Sequence, residues 1–420
     1  MLEFQSLRGT RDILPPESRF WSYIEERTIQ ILERFGYRQI RTPIFERTEL
    51  FVRSIGSSTD IVSKEMYTFT DKKGRSLTLR PEGTAPVVRA YLQKQLHKRE
   101  EISKLYYMGP FFRYERPQAG RERQFHQIGV EALGEKSPAI DAEIIYLGYV
   151  MLRSLNLENF RLLLGSVGCP VCRPKYEEVI TFSLQGDYPN LCTDCKRRYE
   201  TNPLRILDCK NENCRKFFKK LPLLEEFLCR DCRNYLEKIQ EFLTLLKLQY
   251  EITPHLVRGL DYYTHTTFEF IHPELGAQST LIGGGRYNHL VEQLGGISVP
   301  ACGFAAGLER IVVALRKEGK YEEIPDAIKV IVITLGEESF RDGFSLLQSI
   351  RAAGIGADMD YRGKSVKSNL RRANKLQIPY TIIIGREESE DGIVKLKNME
   401  TGREENIELK NIIGELKRRI

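Results

Sequence analysis

No run of apolar residues in this chain approaches the roughly 20 that a helix needs to cross a bilayer. A membrane span is therefore not expected. The opening residues, MLEFQSLRGTRD, carry charges where a secretory signal needs an apolar core of about 7 to 15 residues, which predicts a cytoplasmic protein. No low-complexity tract or internal repeat stands out, and the composition is not that of a disordered or fibrous chain. Outside residues 169–232 there is a single cysteine, Cys302, read here as a small core residue. The chain has nine cysteines in all, and in a large cytosolic protein their paired spacings point to metal binding or redox chemistry rather than the disulfide framework of a small secreted protein.

What is present is a chain of 420 residues, long enough for two or three domains with a sizeable core. Apolar residues make up 41% and charged residues 29%, the balance of a globular protein. A net charge of +7 is modest at this length, so the distribution of charge must say whether nucleic acid is a partner.

Apolar residues Phe20, Ile24, Ile31 and Phe35 recur at helical spacing before Gly36, which predicts a helix over 16–35 with a glycine stop. YRQIRTPIF has strand character, with Pro43 confined to an edge or an irregular stretch. SLTLR, KLYYMGPFFRYE and FHQIGVEAL read as strands around a helical PVVRAYLQKQL, the last two strands forming a hairpin with a charged loop. The centre of the chain is thus α+β, a mainly antiparallel sheet backed by helices. Residues 168–251 interrupt it as an insertion rich in cysteine and charge. Strand material then resumes, and GFAAGLERIVVAL reads as strand, glycine bend and helix. After the linker KEGKYEEIPDA, strands alternate with helices from Asp326, predicting a small, largely parallel α/β domain.

Four stretches carry candidate chemistry. In RPEGTAPVVRAY, residues Arg80, Glu82 and Thr84 alternate on a segment read as extended, either a solvated strand end or a carboxylate and hydroxyl facing an ammonium group. In GPFFRYERPQAGRERQ, Arg113 and Glu115 share a strand face, and Arg116, Arg121 and Arg123 complete either a salt-bridged surface hairpin or a polyphosphate clamp. RGLDYYTHTTFEF and GGGRYNHL bring Arg258, Tyr262, Tyr263, Gly283 to Gly285, Arg286 and Tyr287, in which glycines permit close ligand approach and tyrosines supply a wall with a polar tip. Arg310 opens the helix after the last glycine bend.

Together these stretches resemble the histidyl-tRNA synthetases, class II aminoacyl-tRNA synthetases, over essentially the whole chain. RGTRDILPPES with the helix leading to Pro43 resembles the first class motif, Arg113 to Glu131 the second and Gly303 to Leu315 the third. RGLDYYTHT and GGGRYNHLVEQLGG resemble two signatures particular to the histidine enzymes. The resemblance implies an interrupted catalytic domain over 1–325, the insertion over 168–251 and an anticodon-binding domain over 326–420. It implies that Arg113 and Arg258 are catalytic, flanking the α-phosphate of ATP and the histidine carboxylate, while Glu115, Arg121 and Arg310 complete the ATP site. Glu131 and Tyr263 would hold the imidazole, Glu82 and Thr84 the α-amino group, and Gln127, Tyr262 and Tyr287 the rest of the pocket. ATP would enter with Mg²⁺.

The loop Arg116 to Gln118 resembles the family's reader of the tRNA acceptor end. In the last domain, Arg362, Lys364, Lys367, Arg371, Arg372 and Lys375 lie in a stretch without an acidic residue, either a solvated helix face or a backbone-phosphate footprint. Implied partners are tRNA(His) and a second copy of the chain in a homodimer.

Eight cysteines in the insertion fall in pairs: Cys169 and Cys172, Cys192 and Cys195, Cys209 and Cys214, Cys229 and Cys232. The separation of the first two pairs fits a four-thiolate zinc site, and two structural zinc ions are the simplest count, with interleaved pairing left open. Reduced thiols and intracellular disulfides are the rival readings. The rival reading of the whole chain is a synthetase-like regulatory subunit of histidine biosynthesis. Such paralogues usually lack the anticodon domain and degrade the arginine set, whereas Arg113, Arg258 and Arg310 are all present here.

Overall fold

The computed structural model describes residues 4–57, 59–209, 211–218, 220–321 and 327–420. Residues 1–3 of the amino-terminal stretch lie outside the described residues, as do 322–326, which hold part of the charged linker and Asp326. Contacts divide the chain into two compact units, Met1–Glu322 and Glu323–Ile420.

In the first unit the predicted amphipathic helix runs Glu17–Arg34 and buries Phe20, Trp21, Ile24, Thr28, Ile31 and Leu32, one stripe at helical spacing. Gly36 then adopts φ +80, the left-handed stop expected of it. YRQIRTPIF forms no single strand. Pro43 separates Arg38–Gln39, which joins the main sheet, from Phe45–Arg47, which pairs with Ser76–Leu79 in a small separate sheet.

Among the described residues the main sheet has eight strands. Their order is Arg38–Gln39, Ser103–Phe112, Gln124–Leu133, Ala301–Gly307, Thr280–Arg286, Thr264–Ile271, Arg161–Gly168 and Glu251–Ile252. Every neighbouring pair is antiparallel except the two at the edges. The hairpin predicted from KLYYMGPFF and FHQIGVEAL pairs Ser103 with Leu133 and Phe112 with Gln124. Its charged loop closes on a bridge between Gln118 and Arg121. Gly283 to Gly285 lie inside a strand, not at a turn. The strand Ala301–Gly307 runs directly into the helix Leu308–Lys317, as read from the sequence.

The helix Pro138–Ser154 backs the sheet. Its Asp141, 2% exposed, is ion-paired with the fully buried Arg286 and accepts a hydrogen bond from Tyr235 at 2.9 Å. Arg286 is thus a buried structural ion pair, costly to break because either partner alone would be an uncompensated charge.

The insertion leaves the sheet edge at Gly168 and returns as Glu251–Ile252 beside Leu163 and Leu164. Between them lie the helices Arg173–Leu184, Thr193–Thr201, Glu212–Phe218 and Arg230–Leu245. The last of these packs on Pro138–Ser154, so the insertion is seated on the back of the sheet.

In the second unit the strands Gly356–Met359, Ile328–Thr334 and Tyr380–Ile384 are parallel, as expected from their helical connections. Ile393–Asn398 and Glu404–Glu408 add an antiparallel hairpin that the alternation of strand and helix did not foretell. Val330, Val332, Leu347, Ile350, Ile382 and Leu416 form part of its core.

Candidate active site and cysteine clusters

Along the strand Gln124–Leu133 every second side chain points to one face, so Phe125, Gln127, Gly129 and Glu131 line up above the sheet. A cleft opens over that face. All twelve residues expected to bind histidine or ATP line it: Glu82, Thr84, Arg113, Glu115, Arg121, Gln127, Glu131, Arg258, Tyr262, Tyr263, Tyr287 and Arg310.

At the closed end Glu131 is 1% exposed. It accepts hydrogen bonds from the hydroxyls of Thr84 at 2.7 Å, Tyr107 at 3.3 Å and Tyr287. Burial pushes its carboxyl up to about 8, against the pull of these hydroxyls toward ionisation and with Glu82 adding repulsion. Tyr262 stands between Tyr263 and Tyr287, with ring centroids 4.8 and 5.5 Å away. Gly303 makes the arrangement possible by its lack of a side chain. A Cβ there would lie 2.1 Å from the Glu131 carboxylate.

Glu82 corrects the sequence reading of its segment. Arg80, Glu82 and Thr84 do not share an extended face, because Thr84 begins the helix Thr84–Gln93. The Glu82 carboxylate turns back and accepts the amides of Thr84 at 2.7 Å and Ala85 at 2.9 Å, an acid at a helix start. Arg80 points away from the cleft, donating to the carbonyls of Pro110 and Thr42.

The other end of the cleft is cationic. Arg113 donates to the Pro81 carbonyl at 2.9 Å and lies 3.6 Å from Glu115, while Arg121 is ion-paired with that same Glu115. Arg258 is ion-paired with Glu269. Arg310 donates to the carbonyls of Gly120 at 3.2 Å and Thr280 at 2.9 Å. Burial, then the repulsion of Arg113, Arg258 and Arg121, holds the Arg310 guanidinium down to about 10. Such crowding of like charge in a buried place favours a polyanion. The side-chain oxygen of Gln127 and Nε of Arg258 are buried without a hydrogen-bond partner, so the cleft has polar capacity to spare.

Of the arginines read as a clamp, only Arg113 and Arg121 line the cleft. Arg123 stacks over Tyr114 at 4.1 Å, and Arg116 is exposed with Gln118 on the loop. In the second unit Lys364, Lys367, Arg371 and Arg372 are exposed. The basic stretch has acidic neighbours just before it in sequence that fold back onto it. Asp358 is ion-paired with Arg372, and Asp360 accepts the amide of Arg362 at 3.2 Å and that of Lys364.

Tyr107 is a pocket residue the sequence did not single out. Of the adjacent pair in KLYYMG, Tyr106 reaches Glu33 on the helix Glu17–Arg34, and Tyr107 reaches Glu131. Which tyrosine faces the cleft depends on strand register, and the only trace in sequence is that Gly129, its partner, leaves room for the ring.

The eight insertion cysteines gather in two groups. Cys169, Cys172, Cys229 and Cys232 form one, and Cys192, Cys195, Cys209 and Cys214 the other, with the sulfurs of each group within 4.8 Å of one another. The first pair therefore meets the last pair rather than the second. The separation of Cys172 from Cys192 pointed to the wrong partner because the helix Arg230–Leu245 returns to the root of the insertion. Cys302 is buried away from both groups, as expected of a core residue.

Comparisons with known proteins agree with this geometry. The family model described as histidyl-tRNA synthetase matches residues 9–170 and 204–311, and the model described as anticodon binding domain matches 329–419. The chain is similar to the histidine–tRNA ligase of Halothermothrix orenii, 50% identical over 99% of this chain and 100% of that one. With the Thermotoga maritima histidine–tRNA ligase it shares 48% identity over 96% and 95% of the two chains. Among solved structures it resembles the apo histidyl-tRNA synthetase of S. aureus with a TM-score of 0.83 and 38% identity, covering 98% of this chain and 99% of that chain. A cationic cleft closed by a buried carboxylate, an anticodon-domain match and full-length relatives together show that this chain belongs to the histidyl-tRNA synthetase family.

Proposed function

We propose that the chain is a histidine–tRNA ligase that activates histidine with ATP and passes it to the 3′ end of tRNA(His). The carrying observation is a single cleft with Glu131 and its ring of hydroxyls at one end and Arg113, Arg121, Arg258 and Arg310 at the other. An imidazole is rejected or accepted at the first, and a nucleotide's phosphates are neutralised at the second. In this reading Glu131 and Tyr263 meet the ring nitrogens, and Glu82 with Thr84 meets the α-amino group. Gln127, Tyr262 and Tyr287 shape the remaining wall. A site built on polar partners discriminates against analogues that lack them by about 10⁴ or more.

The histidine carboxylate, already ionised, attacks the α-phosphorus of ATP in line. A new C–O–P bond forms as the bond to pyrophosphate breaks, and no proton needs to be removed. Catalysis therefore rests on positioning and charge stabilisation. Arg113 and Arg258 offset charge on the α-phosphate and the carboxylate, and Glu115, Arg121 and Arg310 form the rest of the ATP site, with Mg²⁺ accompanying ATP. In the second step a terminal ribose hydroxyl of the tRNA attacks the activated carbonyl, the ester forms as the carbonyl–phosphate bond breaks, and AMP leaves together with the hydroxyl proton. Arg116 and Gln118 meet the acceptor end, and Lys364, Lys367, Arg371 and Arg372 meet backbone phosphates near the anticodon.

Structural zinc in the insertion and a homodimer belong to the same reading. Exposed Phe4, Leu7, Leu14, Ile44, Phe45 and Phe69 concentrate apolar surface in the amino-terminal region, where a second copy would cover it. Among the described residues no helix is long and apolar enough to cross a membrane. The test is histidine-dependent exchange of pyrophosphate into ATP, with histidinol as competitor. Folded protein that shows no exchange would favour the regulatory-subunit reading.

A further inference from the structure

The segment that carries Arg258, Tyr262 and Tyr263 has no ladder to hold it. Residues 253–263 run irregularly between Glu251–Ile252 and the strand Thr264–Ile271. Its backbone is tied at Asp261, whose amide donates to the Ile55 carbonyl at 3.2 Å, and by two arginines of the insertion. Arg173 donates to the Tyr263 carbonyl through its terminal nitrogen and to the Val167 carbonyl through Nε at 3.2 Å. Arg205, only 6% exposed, donates to the Arg258 carbonyl at 3.3 Å and lies 3.7 Å from Asp261. Asp261 also accepts from the Asn202 side chain at 3.1 Å.

Each arginine is placed by a cysteine group. Arg173 follows Cys172 directly, and its amide donates to the Cys169 carbonyl at 3.0 Å, so the turn between those cysteines sets where its helix starts. Arg205 lies between Cys195 and Cys209 on the short helix Pro203–Asp208. Its carbonyl accepts from Arg198 at 3.3 Å, and Arg198 sits one turn beyond Cys195 and pairs with Asp60 at 2.7 Å.

The sulfurs are spaced for metal. Cys169 is 3.7 Å from Cys172 and 3.8 Å from Cys229, Cys172 is 3.7 Å from Cys232, and Cys192 is 3.9 Å from Cys209. Four thiolates at a Zn–S distance of about 2.3 Å form a tetrahedron with edges of about 3.8 Å. A disulfide needs about 2.05 Å. Amides of Cys169 and Cys192 point at the Cys172 and Cys214 sulfurs, each at 3.2 Å, which fixes the direction of both side chains.

We propose that the insertion holds two zinc ions, one on Cys169, Cys172, Cys229 and Cys232 and one on Cys192, Cys195, Cys209 and Cys214, and that Arg173 and Arg205 transmit their rigidity to the backbone of Arg258 and Tyr263. The two arginines are positioning residues for histidine activation. This rests on the ligase reading given above. Arg173 lies within 171–203, which the family model leaves unmatched, and Arg205 lies within the matched span 204–311.

The test uses the full chain with three readouts: zinc content, histidine binding by calorimetry and the histidine KM and kcat in pyrophosphate exchange. Wild type is expected to carry two zinc ions. Arg173→Ala should keep both and melt near wild type, yet raise the histidine Kd and KM about 10- to 100-fold, with Arg173→Lys recovering part. Arg205→Ala should lower kcat more than it raises KM, because it frees the Arg258 carbonyl. Cys232→Ser should lose one zinc and weaken histidine binding as Arg173→Ala does. Folded protein without zinc and with eight freely titrating insertion thiols would overturn the proposal. So would unchanged histidine binding and exchange in Arg173→Ala and Arg205→Ala. If wild type shows no histidine-dependent exchange, the ligase reading fails, and histidine binding in the variants still decides the positioning claim.

Discussion

The floor and the wall of the cleft are held in opposite ways. On the floor, Gln127 and Glu131 occupy alternate positions of a ten-residue strand paired on both sides, so their directions are set by sheet register. On the wall, Arg258, Tyr262 and Tyr263 stand on an irregular segment held by side-chain hydrogen bonds from the insertion and one backbone bond from Asp261 to Ile55. The sheet supplies rigidity at no cost to chemistry, whereas the wall depends on contacts that a single substitution removes. The floor carries Glu131, expected to recognise the ring, and the wall carries Tyr263, its expected partner in that task, beside the proposed catalytic Arg258.

The hardest break in this comparison comes from Arg258→Ala, which should lower kcat/KM for histidine-dependent exchange by about 10³-fold or more while leaving the fold intact. Glu269, its ion-pair partner, retains a hydrogen bond from Thr280 at 2.8 Å. A thermal melt beside the exchange assay separates lost chemistry from lost structure.

On the floor, Glu131→Gln should raise the histidine KM about 100-fold or more, since the carboxyl expected to hold the ring is removed. The same variant tests the buried carboxyl. Burial raises its pKa from the 4.5 of an ordinary glutamate to about 8, so its contribution to stability is full below pH 4.5 and is lost as pH rises through 8. Glu131→Gln should therefore melt above wild type at pH 8.5, with the gap shrinking toward pH 5. A gap that does not change with pH would count against a protonated Glu131 in the empty cleft.

Gly303→Ala places a methyl group where the Glu131 carboxylate lies, and the neighbouring strand gives it little room to move. We expect the histidine KM to rise about tenfold with little change in the ATP KM. The smallest effect sharpens the contrast with the second unit. Lys364→Glu with Lys367→Glu should leave exchange unchanged, weaken tRNA charging and reduce the dependence of tRNA KM on salt by about one unit of log–log slope per lost phosphate contact.

Helix Glu17–Arg34, the central hairpin and the strand–bend–helix at 301–317 were legible because each is set by local periodicity and glycine placement. The twelve cleft residues were legible through family signatures, not through spacing alone. Read without them, Arg80 looked like a partner of Glu82, an error that arose because the strand ends at Leu79 and a helix begins at Thr84, so no extended alternation spans 80–84. Tyr107 stayed hidden because two adjacent tyrosines are indistinguishable until a register assigns their faces. Asp358 beside Arg372 was hidden for the same kind of reason, since a charge 14 residues away is invisible to a helix read by itself.

From its residues alone this chain determined its elements, its kinship and the identity of the groups that chemistry requires, because periodicity, glycine placement and ordered motifs are properties of short stretches. Tertiary structure alone decided which cysteine pairs meet and that an arginine from the insertion grips the carbonyl behind Tyr263. The contacts from Cys169 to Cys229 and from Arg173 to Tyr263 join residues 60 and 90 positions apart, where only the closing of the chain on itself selects one partner from many.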